Sequence, residues 1–81
     1  MVKVYTTPTC PHCIQLIHFL DRNNIDYTNI NILKDREGLR NLKAKTGQIG
    51  VPVTEIDTRI IIGYNEKKIE EALLDQVNKG K

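Results

Sequence analysis

The chain has 81 residues, a formal net charge of +2, 40% hydrophobic and 27% charged residues, and two cysteines. This length predicts one domain over residues 1–81 with a single modest core. The small net charge and the few aromatic side chains disfavour a nucleic-acid interface, no apolar run is long enough to cross a membrane, and two cysteines are too few for a secreted disulfide scaffold. Because Met1 leads straight into a strand rather than a signal peptide, we expect a cytoplasmic protein, in which a thiol pair can cycle. A monomer is the expected state.

The first half of the chain predicts a βαβ unit. Residues 1–5 predict the first strand, and a polar loop follows it. From Pro11 to about Asn23 the apolar residues recur with helical period, and because Ile14 and Phe19 widen the apolar face we expect this helix to be well buried. Residues 25–32 alternate between polar and apolar and predict the second strand. The two strands should therefore be parallel, joined by a right-handed crossover.

The second half of the chain predicts a helix, a hairpin and a last helix. These elements cover residues 36–46, 53–56, 59–62 and 66–78, with a tail over 79–81. Asp35 and Asn65 are suitable N-caps, and Gly47 is a suitable residue to follow the end of the second helix. The order β-α-β-α-β-β-α predicts an α/β fold, a four-stranded mixed sheet with three helices on its two faces.

The two cysteines lie in the stretch Cys10-Pro11-His12-Cys13, between the first strand and the first helix. A Cys-x-x-Cys next to a βαβ pattern indicates a redox motif. If Cys10 is the helix N-cap, Pro11 takes the first helical position, and the free N–H groups and the helix dipole favour the Cys10 thiolate. Cys13, one turn further on, should stay a thiol. We therefore predict that Cys10 attacks and that Cys13 reacts second.

The alternative for the cysteine pair is half of a zinc site. Such a site needs four ligands, and only His12 and His18 remain as candidates beside the cysteines. His12 lies between the cysteines, where its side chain would be directed away, so we expect no metal. A cluster shared by two chains is a smaller alternative of the same kind. His18, five residues past Cys13, is expected at the surface or the boundary of the core.

The stretch Val4-Tyr5-Thr6-x-x-Thr9-Cys10-Pro11-His12-Cys13, followed by Gly50-Val51-Pro52 and Ile62-Gly63-Tyr64, resembles the glutaredoxins. It is most similar to the short bacterial glutaredoxin-like proteins of the YruB type, with the NrdH-redoxins as near relatives. The resemblance covers essentially the whole chain. It implies a thioredoxin fold and thiol–disulfide oxidoreductase activity through a redox-active Cys10–Cys13 disulfide, with no bound cofactor.

The resemblance also implies a substrate-binding edge. Pro52 alone could simply begin a strand. The family implies instead a cis Val51-Pro52 bond that faces the cysteines and leaves backbone groups of Val51 free to pair with an extended substrate. Thr9 should help to position that substrate. The turn Gly63-Tyr64-Asn65 should approach the cysteines, where Tyr64 would cover the site or touch a bound disulfide.

His12 has two interpretations. It is either an exposed residue that happens to lie in the motif, or a hydrogen-bond donor and cation beside the Cys10 thiolate. The second interpretation stabilises the reduced form and predicts a reduction potential above about −230 mV, the reducing end of the glutaredoxin range.

Three differences from the glutathione-using glutaredoxins indicate which molecule supplies the electrons. Glutathione-using glutaredoxins have Lys or Arg where this chain has Thr7, Tyr where it has His12, and a Gly-Gly stretch with two aspartates where it has residues 62–66. The NrdH-redoxins, which draw electrons from thioredoxin reductase, have Gly-Phe where this chain has Gly63-Tyr64. The expected partners are therefore disulfide-containing substrates, with glutathione or thioredoxin reductase as reductant. An electron donor to ribonucleotide reductase is the alternative.

Overall fold

A computed structural model describes residues 2–79 of the chain, with the side chains of residues 2–74. Within that range the elements are β1 (Val2–Thr6), α1 (Pro11–Arg22), β2 (Thr28–Asn31), α2 (Arg36–Thr46), β3 (Val53–Ile56), β4 (Arg59–Ile62) and α3 (Glu66–Lys79). The four strands form one sheet in the order β2-β1-β3-β4. β1 is parallel to β2 and antiparallel to β3, and β4 is antiparallel to β3. The predicted element order, mixed sheet and parallel βαβ unit are confirmed.

The core lies on both faces of the sheet. One buried cluster packs α1 and α3 on the sheet and contains Val2, Val4, Leu16, Phe19, Leu20, Ile56, Ile61, Ile69 and Ala72. The other lies under α2 and contains Tyr5, Ile32, Leu42 and Val53. The two sets alternate along β1 and β3 because successive side chains of a strand point to opposite faces. The predicted helices on both faces are confirmed.

Local hydrogen bonds explain where α2 begins and ends. The Gly38 N–H donates to Asp35 Oδ1 at 2.8 Å, so Asp35 is the N-cap that the sequence predicts. Gly47 follows the helix with φ of 74° and donates its N–H to Lys43 O, a left-handed C-terminal cap that glycine adopts at little cost. These caps hold α2 across the sheet.

Three details of the prediction are wrong. β2 is shorter than residues 25–32. At its start the Ile25 N–H donates to Leu20 O at the end of α1, and at its end the Leu33 N–H donates to Asn31 Oδ1 in a turn. Ile14 is 50% exposed, so the apolar face of α1 is narrower near its start. The last helix extends through residue 79, and residues 80–81 lie outside the described part of the chain, as does Met1.

The strand directions bring four connecting segments to one edge of the sheet. β1 and β2 are parallel, so the segments that follow Thr6 and Asn31 leave the sheet at the same edge. β3 enters there, since Val53 pairs with Tyr5, and β4 leaves there, since Ile62 pairs with Val53. The Cys-x-x-Cys loop, the end of β2, the segment before β3 and the turn before α3 therefore meet at this edge.

Candidate active site

Cys10 occupies the N-cap of α1. Its backbone is extended, with φ of −92° and ψ of 113°, and its sulfur accepts the Cys13 N–H at 3.2 Å. Pro11 takes the first helical position, where no N–H is required. The first turn of α1 contains no acidic residue, so no side-chain charge there opposes the positive end of the helix dipole. The predicted N-cap is confirmed, and Cys10 Sγ lies at the start of α1, where the positive end of the helix dipole is located.

Cys13 lies behind Cys10 and is only 2% exposed. Burial first, and then the hydrogen bond and the charge of Cys10, raise the pKa of the Cys13 thiol to about 11, against an opposing backbone hydrogen bond from Thr7. Both cysteines are free thiols, and Cys10 is the partly exposed one. The two sulfurs thus differ in access to solvent although only two residues lie between the cysteines.

The segment before β3 faces Cys10. The Val51-Pro52 bond is cis, and the Cys10 thiol points to the Val51 carbonyl oxygen at 4.0 Å. Pro52 is buried, and its carbonyl oxygen accepts the Gly63 N–H at 2.8 Å. This bond ties the turn before α3 to the segment that faces the Cys10 sulfur. The structure therefore brings Cys10, Val51, Pro52 and Gly63 together, and the cis bond that the resemblance implies is present.

The remaining predicted site residues lie at the same edge but face different surroundings. Thr9 and His12 are exposed, on either side of the Cys10-Pro11 pair. Asn65 uses its side chain locally, because Oδ1 accepts the Lys68 N–H at 3.1 Å at the start of α3. The predicted cap at Asn65 is confirmed.

The Tyr64 side chain packs against α1 and is only partly exposed. Its ring packs edge-on against Phe19, with 6.4 Å between ring centroids and 66° between planes. Its hydroxyl donates to a Glu66 carboxylate oxygen. Tyr64 also lines a shallow groove along α1 that includes Ile14, one turn past Cys10. The contact of Tyr64 with a bound disulfide stays a prediction.

A groove on the β2 side of Cys13 was not predicted from the sequence. It has a volume of about 290 Å³ and is lined by Thr6, Thr7, Pro8, Cys13, Ile14, Ile17, His18, Asn29 and Asn31. Cys10 is not part of its wall. The alternation of Asn29 and Asn31 along β2 and the helical spacing of Ile14, Ile17 and His18 are the sequence signals that indicate these walls.

Two further classes of site were searched for in the described residues. No group of three or more His, Cys, Asp or Glu side chains there is placed to hold a metal ion. Between residues 2 and 79, no helix is both long and apolar enough to cross a membrane.

Comparisons with known proteins agree with this architecture. The glutaredoxin family model matches residues 2–61. A glutaredoxin-like 8.6 kDa protein of the Clostridium pasteurianum rubredoxin operon is 37% identical over 73 residues, which are 90% of this chain and 97% of that protein. The crystal structure of a glutaredoxin from Archaeoglobus fulgidus superposes with a TM-score of 0.79 at 32% identity, covering 89% of this chain and 84% of that one.

The structure of NrdH-redoxin from Escherichia coli is similar in fold. Its TM-score is 0.78 at 20% identity, over 86% of this chain and 91% of that one. The family match spans most of the chain, and the sheet order and the cysteine pair stand where a thioredoxin-type fold requires them. The chain therefore belongs to the glutaredoxin family of thiol–disulfide oxidoreductases.

Proposed function

We propose that the protein reduces disulfides by a dithiol mechanism in which Cys10 attacks and Cys13 resolves. The Cys10 thiolate attacks one sulfur of the substrate and forms a mixed disulfide, releasing the first substrate thiolate. Cys13 then attacks Cys10, forms the Cys10–Cys13 disulfide and releases the second thiolate. The observation that carries this proposal is the asymmetry of the pair, a partly exposed Cys10 at the helix N-cap and a buried Cys13 behind it.

The substrate is proposed to lie across the edge where the four segments meet. Its sulfur would approach Cys10 between Thr9 and the backbone of Val51 and Pro52. The 4.0 Å separation of Cys10 Sγ and Val51 O supports this, because a chain that pairs with Val51 would place its own sulfur next to Cys10. The turn of residues 63–65 would border the bound disulfide on the α3 side.

The electron source is proposed to be thioredoxin reductase in preference to glutathione. Thr7 offers no cation to a glutathione carboxylate. At the start of α3 the chain places the Glu66 carboxylate, to which Tyr64 donates, in the stretch where the resemblance implies a γ-glutamyl carboxylate is held. Two carboxylates in one place repel, so this end of the site disfavours glutathione.

A coupled assay that follows NADPH consumption tests the proposal. One arm supplies glutathione with glutathione reductase, the other supplies thioredoxin reductase, and each runs with wild type and Cys10→Ser. We expect turnover with thioredoxin reductase, little with glutathione, and none with Cys10→Ser. Thr7→Lys is the matched variant, since it restores a cation and should raise the glutathione rate alone. Turnover that survives Cys10→Ser would contradict the mechanism, and turnover with glutathione alone would contradict the assigned reductant.

A donor of electrons to ribonucleotide reductase is the second candidate, favoured by the Gly63-Tyr64 pair, which is similar to the Gly-Phe of the NrdH-redoxins. We propose for either candidate a monomer that acts in the cytoplasm and contributes to electron transport and redox homeostasis.

A metal- or cluster-binding module is a weaker alternative, because the described residues offer no third ligand beside the two cysteines. A purified protein that is colourless, metal-free and has two titratable thiols would exclude that alternative.

A further inference from the structure

The groove on the β2 side of Cys13 is lined by one imidazole, that of His18. The Cys13 thiol is the other acidic or basic side chain among its lining residues, and no Asp or Glu belongs to its wall. The groove opens next to the second sulfur and does not include Cys10. Its volume of about 290 Å³ has room for several water molecules.

We propose that His18 accepts the proton of the Cys13 thiol, through water held in this groove, when Cys13 attacks the mixed disulfide. This inference rests on the dithiol mechanism proposed above and names the base of its second step. The role is distinct from any role of His12, which is exposed at the start of α1 and does not line the groove.

Water in the groove would lie beside both Cys13 and His18, because both residues line it. Both residues belong to α1, where five residues correspond to a rise of about 7.5 Å along the axis. Both side chains line the same groove, so a proton path between them need not cross the protein interior. His18 is exposed and can pass the proton on to solvent.

The opposite wall of the groove is polar and uncharged. Thr6 Oγ1 donates to Asn29 Oδ1 at 2.6 Å, and the Leu33 N–H donates to Asn31 Oδ1 at 3.0 Å. Each amide oxygen is therefore engaged, which leaves the amide NH₂ groups to donate to groove water. The apolar side chains of Ile14 and Ile17 complete the groove on the side of α1.

The step balances as a thiol–disulfide exchange. His18 takes the Cys13 proton through water, and the Cys13 sulfur attacks the Cys10 sulfur. The Cys10–Cys13 bond forms while the bond between Cys10 and the substrate sulfur breaks with its electron pair on the substrate. The substrate thiolate leaves and is protonated by solvent. The cysteine pair is oxidised by two electrons and the substrate disulfide is reduced by two.

A base is needed because Cys13 holds its proton tightly. In the reduced protein burial first, and then Cys10, raise the pKa of this thiol to about 11. In the mixed disulfide Cys10 carries no charge, but the burial of Cys13 still raises its pKa and disfavours the thiolate. The other charged or titratable groups around His18 are Arg22 on α1 and Tyr64 with its partner Glu66 at the start of α3. Arg22 is always protonated. The hydrogen bond to Glu66 raises the pKa of Tyr64, so its phenol is no base at neutral pH either.

A single-turnover experiment tests the proposal. Reduced protein is mixed with an aromatic disulfide that releases a coloured thiolate. The first release reports attack by Cys10, and the second reports attack by Cys13 on the mixed disulfide. We compare wild type, His18→Gln and Gln15→Ala, an exposed substitution on the same helix that does not line the Cys13 groove. Cys13→Ser identifies the second release, because it should lack that phase and keep the first.

We expect His18→Gln to leave the first release unchanged and to slow the second by about 10- to 100-fold near pH 7, at or just below the lower end of what a positioned base contributes. In His18→Gln the second release should depend on the small fraction of Cys13 thiolate and so rise steeply with pH. Wild type and Gln15→Ala should show a shallower pH dependence, and imidazole buffer should restore the rate of His18→Gln.

Two results would overturn the assignment while leaving the dithiol mechanism intact. One is a second release in His18→Gln with the wild-type rate and pH profile. The other is a slow second release that imidazole buffer does not restore, since that would give His18 a purely structural role. A wild-type protein that releases only one thiolate would instead contradict the dithiol mechanism, and this inference with it.

Discussion

The backbone N–H of Cys13 donates to the sulfur of Cys10 at 3.2 Å. The sulfur that is proposed to attack is therefore also the N-cap acceptor of α1. A hydrogen bond from an N–H at a helix start favours the charged form of its acceptor. The same turn buries the Cys13 side chain. One short stretch of helix thus places one sulfur at its N-cap and buries the other, whose thiol has a raised pKa.

The raised pKa of Cys13 predicts a pH dependence of stability. In the folded, reduced protein this pKa is about 11, above that of an unfolded cysteine, about 8.5. Below about pH 8.5 both states keep the proton, and the contribution to stability is complete. As the pH rises toward 11 the unfolded chain loses its proton first, so the free energy of unfolding falls by up to about 1.4 kcal/mol per pH unit.

Denaturant unfolding of reduced wild type and Cys13→Ala between pH 8 and 11 measures this effect. Burial and Glu55 also raise the pKa of Tyr5, which lowers stability in the same direction at the upper end of the range. Because both proteins contain Tyr5, their difference isolates Cys13. We expect the wild type to lose stability more steeply. Parallel pH profiles would contradict the burial of the thiol.

We expect Gly38→Ala in α2 to destabilise the protein, which is the opposite of what helix propensity alone predicts. Alanine is favoured over glycine inside a helix by about 1 kcal/mol. A Cβ at Gly38 would, however, overlap the Cγ2 methyl of Ile30 on β2. Overpacking of this kind costs about 1–3 kcal/mol, so we expect Gly38→Ala to destabilise the protein. Its effect in an Ile30→Ala background is the control: the overlap with Ile30 is then gone and only the tight contact with the Asp35 carboxyl remains, so the substitution should cost less than in wild type. Stabilisation in the wild-type background would contradict the close approach of α2 and β2.

We expect the substitution of threonine by valine to have opposite effects on stability at two buried positions, Thr54 and Thr6. The hydroxyl of Thr54 is fully buried and has no hydrogen-bond partner among the described residues, whereas the hydroxyl of Thr6 donates to Asn29 Oδ1 at 2.6 Å. An unpaired buried polar group costs about 1–3 kcal/mol. We therefore expect Thr54→Val to raise the denaturation midpoint and Thr6→Val to lower it. Loss of stability in both variants would show that the Thr54 hydroxyl is paired.

The two interpretations of His12 predict different reduction potentials for the Cys10–Cys13 pair. If it supports the Cys10 thiolate, equilibration with glutathione redox buffers should give a potential above about −230 mV. His12→Ala should make the potential more negative by about 30 mV, equivalent to about 1.4 kcal/mol. A wild-type value near −270 mV, that of thioredoxin, would leave His12 as an exposed residue without influence on the pair.

The sequence predicted the site because its determinants are local. Cys10, Pro11 and Cys13 lie within one helix start, and the rules for caps and first helical positions act over a few residues. The parallel β1–β2 pair and the β3–β4 hairpin were predicted from the βαβ unit and the hairpin pattern, whereas the antiparallel β1–β3 pairing, which completes the strand order, was not predicted. The two predicted pairings are consequences of short-range pattern and of chain topology.

What was missed depends on packing between distant segments. The groove beside Cys13 needs the relative placement of α1 and β2, which no local pattern encodes. The exposure of Ile14 depends on how far the neighbouring segments reach over the start of α1. The shorter β2 follows from two turn hydrogen bonds, at Leu20 and at Asn31, that compete with strand pairing at its ends.

The most direct test of the central claim is to trap the mixed disulfide and locate it by mass spectrometry. Cys13→Ser and Cys10→Ser are each mixed with a disulfide peptide and quenched with acid. The account predicts that Cys13→Ser accumulates one peptide linked to Cys10, and that Cys10→Ser, with only the buried thiol, accumulates almost none. A peptide linked to Cys13 in Cys10→Ser at a comparable rate would contradict the assignment of Cys10 as the attacking sulfur.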